Sequence, residues 1–292
     1  MRNQTSATGK GTPVSETAVP VDMDGVVERR DLVVEKVTSA DGTSIAYERS
    51  GEGPPVVMLG GGLTQKAMFA PLARFLAENF TVYNYDRRGR GDSGDNGNGD
   101  TYTIDHEVAD LEAVVRSIGE PCNVWANCTG GIIALRAAAQ GVPMAKLAVY
   151  EPPYSAPDTP PDYLDRVKEL VAADRSEDAV ELFWREYVRF PDELIANFRF
   201  HPSWDTFVAL APTIVYDGVI GNDHAALPHR QLARTTVPVL VVDGGASPQW
   251  QREACETVAR EVADGRHVRL EGQTHLFDQA TLAPVLAEFF SA

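Results

Sequence analysis

Three cysteines and six histidines hold most of the chain's capacity for nucleophilic or metal chemistry. Cys122, Cys128 and Cys255 form an odd set without metal-ligand spacing, so neither a zinc centre nor a disulfide framework is expected. Cys128 is set apart by its surroundings. It falls in Ala126-Asn127-Cys128-Thr129-Gly130-Gly131, between the apolar run CNVWAN and the helical pattern GGIIALRAAAQ, so a turn packed with small residues joins a strand to a helix there. A thiol in such a turn can attack a carbonyl once a base takes its proton. The plain alternative is a small buried residue, since free cysteine is commonly buried and inert. Cys122 and Cys255 fall inside a strand and a helix with no chemical partner in the pattern and are read as structural. A second turn, Gly60-Gly61-Gly62-Leu63, follows the run PPVVML but lacks the spacing and lysine of a phosphate loop. No metal, nucleotide or flavin motif is evident, and no cofactor is expected.

Holding a cysteine in this way takes a sheet. Short apolar runs at 54–59, 80–85, 122–127, 146–151, 237–243 and 267–270 alternate with helical patterns at about 66–77, 105–118, 130–140, 249–263 and 279–290. The alternation predicts an α/β protein with a mostly parallel central sheet flanked by helices. Ahead of it, DLVVEKV and TSIAYER alternate around Asp41-Gly42 and predict an antiparallel hairpin. From Pro152 to Val237 the rhythm lapses, and helical stretches such as PDYLDRVKELVAA and SEDAVELFWREYVRF occur without a convincing strand. A segment that long must fold on itself. It is read as a helical cap, residues 153–236, inserted after the sixth strand into a core made of 31–152 and 237–292. Most of its aromatic residues, from Phe183 to Tyr216, are expected to build the cap's own core, with some facing a ligand. Residues 1–30 show neither helical nor strand period and are expected to form a flexible tail.

The 292 residues are 43% hydrophobic, ample for a buried core, and 26 basic against 42 acidic side chains leave a net charge of −16. That charge repels phosphate backbones and anionic lipid, so neither nucleic acid nor a membrane is expected as a partner. No run of 18 apolar residues occurs, and the N-terminal stretch lacks the apolar segment of a secretory signal. A cytoplasmic, reducing setting is expected. The oligomeric state is not legible.

The turn around Cys128 resembles the nucleophile elbow of the α/β-hydrolases, Gly-x-Ser-x-Gly, with Ala126 in the first glycine position and cysteine in place of serine. The resemblance covers about residues 31–292 and implies the α/β-hydrolase fold. In that turn the nucleophile has a strained backbone, needs small neighbours and points at a helix N-terminus that favours a thiolate or an oxyanion. Gly60-Gly61-Gly62-Leu63 resembles the family's oxyanion-hole turn, which implies donors from the N–H groups of Thr129 and of Gly62 or Leu63. Tyr85 to Ser93 resembles the family's fourth-strand loop, whose charges are expected to brace the loop. His275, after the last strand and before the C-terminal helix, matches the catalytic histidine. Where the family's acid commonly follows the seventh strand this chain has Ser247, and Asp243 comes too early. Some members carry the acid after the sixth strand, where Glu151 stands. The implied triad is therefore Cys128, His275 and Glu151, with a glutamate bracing the cap's entry as the plain alternative for the third.

Such a triad implies acyl transfer on a mostly apolar small-molecule ester or thioester, free or carrier-bound. Water as acceptor makes a hydrolase or thioesterase, an amine or alcohol an acyltransferase, and an internal carbanion a cyclase. Cysteine-bearing members that act on carrier-bound chains, including Dieckmann-type cyclases of natural-product pathways, match this chemistry. Two other readings stay open: a non-covalent lyase- or isomerase-type catalyst or small-ligand binder on the same fold, and a protein-interaction module.

Overall fold

The computed structural model describes residues 33–97, 101–154, 159–224 and 227–292. The tail expected over 1–30 lies outside them. Eight strands form one sheet in the order β1-β2-β4-β3-β5-β6-β7-β8. β1 (Val34–Thr38) and β2 (Ser44–Ser50) make the antiparallel hairpin, and β2 also runs antiparallel to β4 (Thr81–Tyr85). From β4 onward, β3 (Pro55–Leu59), β5 (Cys122–Asn127), β6 (Met144–Tyr150), β7 (Val239–Gly244) and β8 (Gly265–Leu270) are all parallel. This is the α/β-hydrolase fold expected from the sequence.

The central strands are apolar on both faces because helices cover both, so β3, β5 and β7 are buried along their whole length. Alternate residues serve opposite layers. Val57, Leu59, Val124 and Ala126 pack under α2 (Ile104–Ile118), α3 (Thr129–Ala139) and α10 (Gln249–Glu261). Val56, Met58 and Trp125 pack under α1 (Ala70–Leu76) and α11 (Gln279–Ser291). The helix expected from residue 66 is split: Lys66–Phe69 is a tighter turn and α1 begins at Ala70, with Pro71, which has no N–H to give, in its first turn.

Between β6 and β7 the chain forms α4 (Tyr163–Ala172), α5 (Ser176–Leu182), a wide helical turn over Phe183–Val188, α6 (Asp192–Phe198), α7 (Trp204–Ala209), α8 (Ile214–His224) and α9 (His229–Leu232). The earlier of these share a core of their own around Val167, Phe183, Trp184 and Ile214. Tyr216 and Ile220 of α8 and Leu232 of α9 instead pack with α2 and α3 against the sheet. The insertion is thus pinned to the main core along its last two helices. Among the described residues no helix is long and apolar enough to cross a membrane.

β4 and β5 lie on opposite sides of β3, so chain order reverses there and the carboxyl ends of β3 and β5 open a crevice at the top of the sheet. The glycine turn follows one of these strands and Cys128 the other.

Candidate active site

Cys128 sits at the first position past β5 with φ 51° and ψ −132°, a left-handed backbone rare for a residue with a side chain. Two main-chain bonds hold it there: its N–H donates to the Tyr150 carbonyl at 2.9 Å, and its carbonyl accepts from the Gly131 N–H at 2.8 Å. The small neighbours have a packing reason. A Cβ on Gly130 would lie 2.6 Å from the Gly60 carbonyl oxygen, and one on Gly61 would lie 2.6 Å from the Cys128 Cβ. The glycines therefore let the top of β3, the elbow and α3 close onto one another. The cysteine is 6% exposed and opens into a cavity of about 490 Å3.

His275, in the loop between β8 and α11, reaches the sulfur side of the elbow, and its side chain is 13% exposed. Its Nδ1 lies 2.8 Å from Oε2 of Glu151, the residue directly after β6. Glu151 is fully buried and is itself turned by a left-handed backbone, φ 44°. Its other oxygen accepts the Gly244 N–H at 2.9 Å, so both carboxylate oxygens are engaged. The Gln251 side-chain amide from α10 approaches the same His275 nitrogen at 3.1 Å.

The charges reinforce one another. Burial pushes the Cys128 thiol up, but the imidazole beside it and the N–H of Thr129 outweigh that and hold it below the ordinary thiol value. Burial pulls His275 down, while the sulfur and Glu151 more than compensate and raise it to about 10. Each group thus favours the charged form of the other, thiolate beside imidazolium. Burial dominates at the other two cysteines, with nearby carboxylates adding to it: Cys122 is pushed up to about 12 and Cys255 well above the usual range.

The structure brings all six residues singled out in the sequence to one place. Gly62 and Leu63 line the cavity with Cys128 and His275, and Leu63 has φ 52°. Among the described residues no protein acceptor takes the N–H of Gly62 or of Leu63. The Thr129 N–H is directed at the sulfur. The usual acid position supplies nothing to the imidazole: Asp243 is bound to His267 and Arg269, and Ser247 is no acid, its buried hydroxyl having no partner among the described residues. Of the insertion's aromatics, Phe183, Trp184, Phe190, Phe198 and Phe207 line the cavity, and Phe190 meets the His275 ring edge-on with centroids 6.4 Å apart. Phe200 is 88% exposed and lies apart from it.

The fourth-strand loop braces itself as expected, Asp86 accepting from the Lys66 and Asp92 N–H groups and Arg88 pairing with Asp110. Sequence reading missed what lies beneath the elbow. Asp217 of α8, fully buried, takes Arg87 at 2.9 Å, Arg90 at 2.7 Å and the Thr129 hydroxyl at 2.9 Å. Its signal was a lone carboxylate in the otherwise apolar stretch IVYDGVIG, which needs a buried cation such as an arginine-rich loop supplies. Gln251 gave none, since its helix is amphipathic without it. Among the described residues no three His, Cys, Asp or Glu side chains gather in a way that would hold a metal ion.

A family model described as the alpha/beta hydrolase family matches residues 56–286. The crystal structure of an alpha/beta hydrolase from Sphaerobacter thermophilus superposes with a TM-score of 0.83 at 45% identity, covering 88% of this chain and 100% of that one. A non-heme haloperoxidase of Rhodococcus erythropolis is 32% identical over 158 residues, 50% of this chain and 57% of its own length. A probable oxidoreductase EphD of Mycobacterium tuberculosis is 34% identical over 100 residues, 33% of this chain and only 17% of its own length.

Proposed function

The chain belongs to the alpha/beta hydrolase family, and from that premise we propose that it transfers acyl groups through a thioester on Cys128, with His275 as acid and base and Glu151 as the carboxylate that orients it. One observation carries the reading: the Cys128 sulfur lies beside an imidazole that lowers its thiol's ordinary value, and that imidazole's far nitrogen lies 2.8 Å from a buried carboxylate. The thiolate attacks the carbonyl carbon of an ester or thioester. The carbonyl oxygen becomes an oxyanion that takes hydrogen bonds from the N–H groups of Thr129 and of Gly62 or Leu63. Collapse breaks the bond to the leaving group, which receives the proton held by His275. The acyl group is then on sulfur and His275 is neutral. In the second half His275 removes a proton from the acceptor, the acceptor attacks the thioester, and the thiolate leaves.

A thiolate leaves more readily than an alkoxide, so the thioester is open to acceptors other than water. Hydrolysis, transfer to an amine or alcohol, and cyclisation onto an internal carbanion share this intermediate. Five aromatic side chains over a cavity of about 490 Å3 suit a mostly apolar acyl group, free or carrier-bound. A reactive thiolate also suits the reducing conditions of a cytoplasm.

The test is intact-protein mass spectrometry after incubation with an activated ester or thioester. An acyl adduct on Cys128 that disappears in His275→Ala supports the reading. Tight binding of the same compound with no adduct, unchanged in Cys128→Ala, replaces it with non-covalent binding.

A further inference from the structure

Beneath the elbow lies a group of ionised side chains that the acyl-transfer steps do not use. Arg87, Arg90, Glu107 and Asp217 are each at most 2% exposed, two cations against two anions, with Tyr102 donating to Glu107 at 3.0 Å. Two further bonds leave the group, and they go to the two arms of the proposed oxyanion pocket. Arg87 Nη1 donates to the Gly61 carbonyl at 3.2 Å and to Asp217 Oδ1 at 2.9 Å. The same Oδ1 accepts the Thr129 hydroxyl at 2.9 Å. A continuous path therefore runs from the Gly61 carbonyl through Arg87 and Asp217 to Thr129. The insertion also shapes the glycine turn. A Cβ on Gly62 would lie 2.6 Å from the Phe183 ring and 3.2 Å from Asp217 Oδ2, and both of those residues come from the segment between β6 and β7.

We infer that Asp217, bound to Arg87, is a positioning residue that sets the spacing between the Gly62–Leu63 and Thr129 donors, so that the helical insertion completes the acyl-transfer site rather than only covering it. The inference rests on the reading above. Its physical basis is that two backbone N–H groups stabilise an oxyanion only while both point at one spot, and they sit on turns after different strands. The turns share no side-chain hydrogen bond of their own among the described residues; Asp217 supplies the link. The carboxylate is also costly for the neighbouring thiolate, whose formation it opposes. Its placement therefore works against nucleophile ionisation and in favour of oxyanion geometry, and the two effects can be separated.

Two reactions of the full-length chain separate them. Iodoacetamide alkylates a thiolate without forming an oxyanion, whereas acylation by p-nitrophenyl butyrate needs one. Thr129→Val removes the hydroxyl but keeps the backbone N–H and the ion pairs, and it is expected to slow Cys128 acylation about tenfold with alkylation within about twofold of wild type. Thr129→Ser restores the hydroxyl and the acylation rate. Asp217→Asn is expected to slow acylation by more than Thr129→Val while alkylation does not slow; should it fail to fold, the two Thr129 variants decide. Wild-type acylation in Thr129→Val, or a parallel fall of both reactions with no recovery in Thr129→Ser, overturns the brace. A wild-type chain that is alkylated but never acylated overturns the acyl-transfer reading itself and the brace with it.

Discussion

Cys122 and Cys128 bound the same strand, one as its first residue and the other just past its last, and both are buried. Yet one thiol is pushed up to about 12 and the other is held below its ordinary value. Cys255, in α10, behaves like Cys122, its sulfur lying 3.9 Å from the Val242 carbonyl and near no imidazole that lowers it. Removal from water is common to all three and cannot be what sets the Cys128 thiol apart. What differs is the end of the strand. At the carboxyl end the chain reverses order, a helix begins, and loops from β3, β6 and β8 converge with an imidazole and N–H groups. The Glu151 carboxylate even acts in opposite senses on the two sides: it supports His275 and so the Cys128 thiolate, while its charge further disfavours ionisation of Cys255.

The contrast can be broken most forcefully at the imidazole. His275→Ala should lower Cys128 acylation by an activated ester about 10²- to 10⁴-fold, the usual worth of a positioned acid and base, read by mass spectrometry with Cys122 and Cys255 unlabelled throughout. Equal labelling of the three cysteines in the native wild type would erase the contrast. Glu151→Gln is expected to cost less, about tenfold, because a thiol depends less on its base than a hydroxyl does. In the same variant an NMR titration should find His275 well below its wild-type value of about 10.

Titration of the wild type sharpens the comparison further. Cys128 alkylation should persist below the ordinary thiol range and fall only as pH drops through the depressed thiol value. For stability, a depressed thiol contributes above its unfolded value of about 8.5 and loses that contribution as pH falls through the folded one. The raised imidazole contributes fully below its unfolded value of about 6.5 and loses it as pH rises through about 10. The stability difference between wild type and Cys128→Ala, from urea melts at a series of pH values, should therefore shift towards the variant above about pH 10. The smallest effect belongs to the control: Cys255→Ala should lower stability by about 1 kcal/mol through lost packing and leave acylation unchanged.

Much of this was legible in the residues. Continuous apolar runs located six strands and period-two alternation the hairpin, all within a few positions, because burial on both faces forces apolar runs that few other structures need. The elbow was legible because close approach demands small residues, visible at Gly61 and Gly130. Asp217 and Gln251 were not, since each acts through a partner far away in sequence: Thr129 and Asp217 are 88 residues apart, and Gln251 and His275 are 24 apart. The left-handed backbones of Leu63 and Glu151 were equally silent, because such strain is imposed by the surrounding fold and not by the residue that bears it.

Glu151 is followed at once by Pro152, whose ring lies against α3 at Gly131. The seam where the insertion joins the core is thus also the mooring of the carboxylate, and it cannot be redrawn without moving both. In the connection after β7, by contrast, the buried Ser247 hydroxyl has no partner among the described residues. Anyone exchanging the insertion for one of another shape should cut beyond Pro153 and retain both α8 and Phe183, which touches the glycine turn at Gly62.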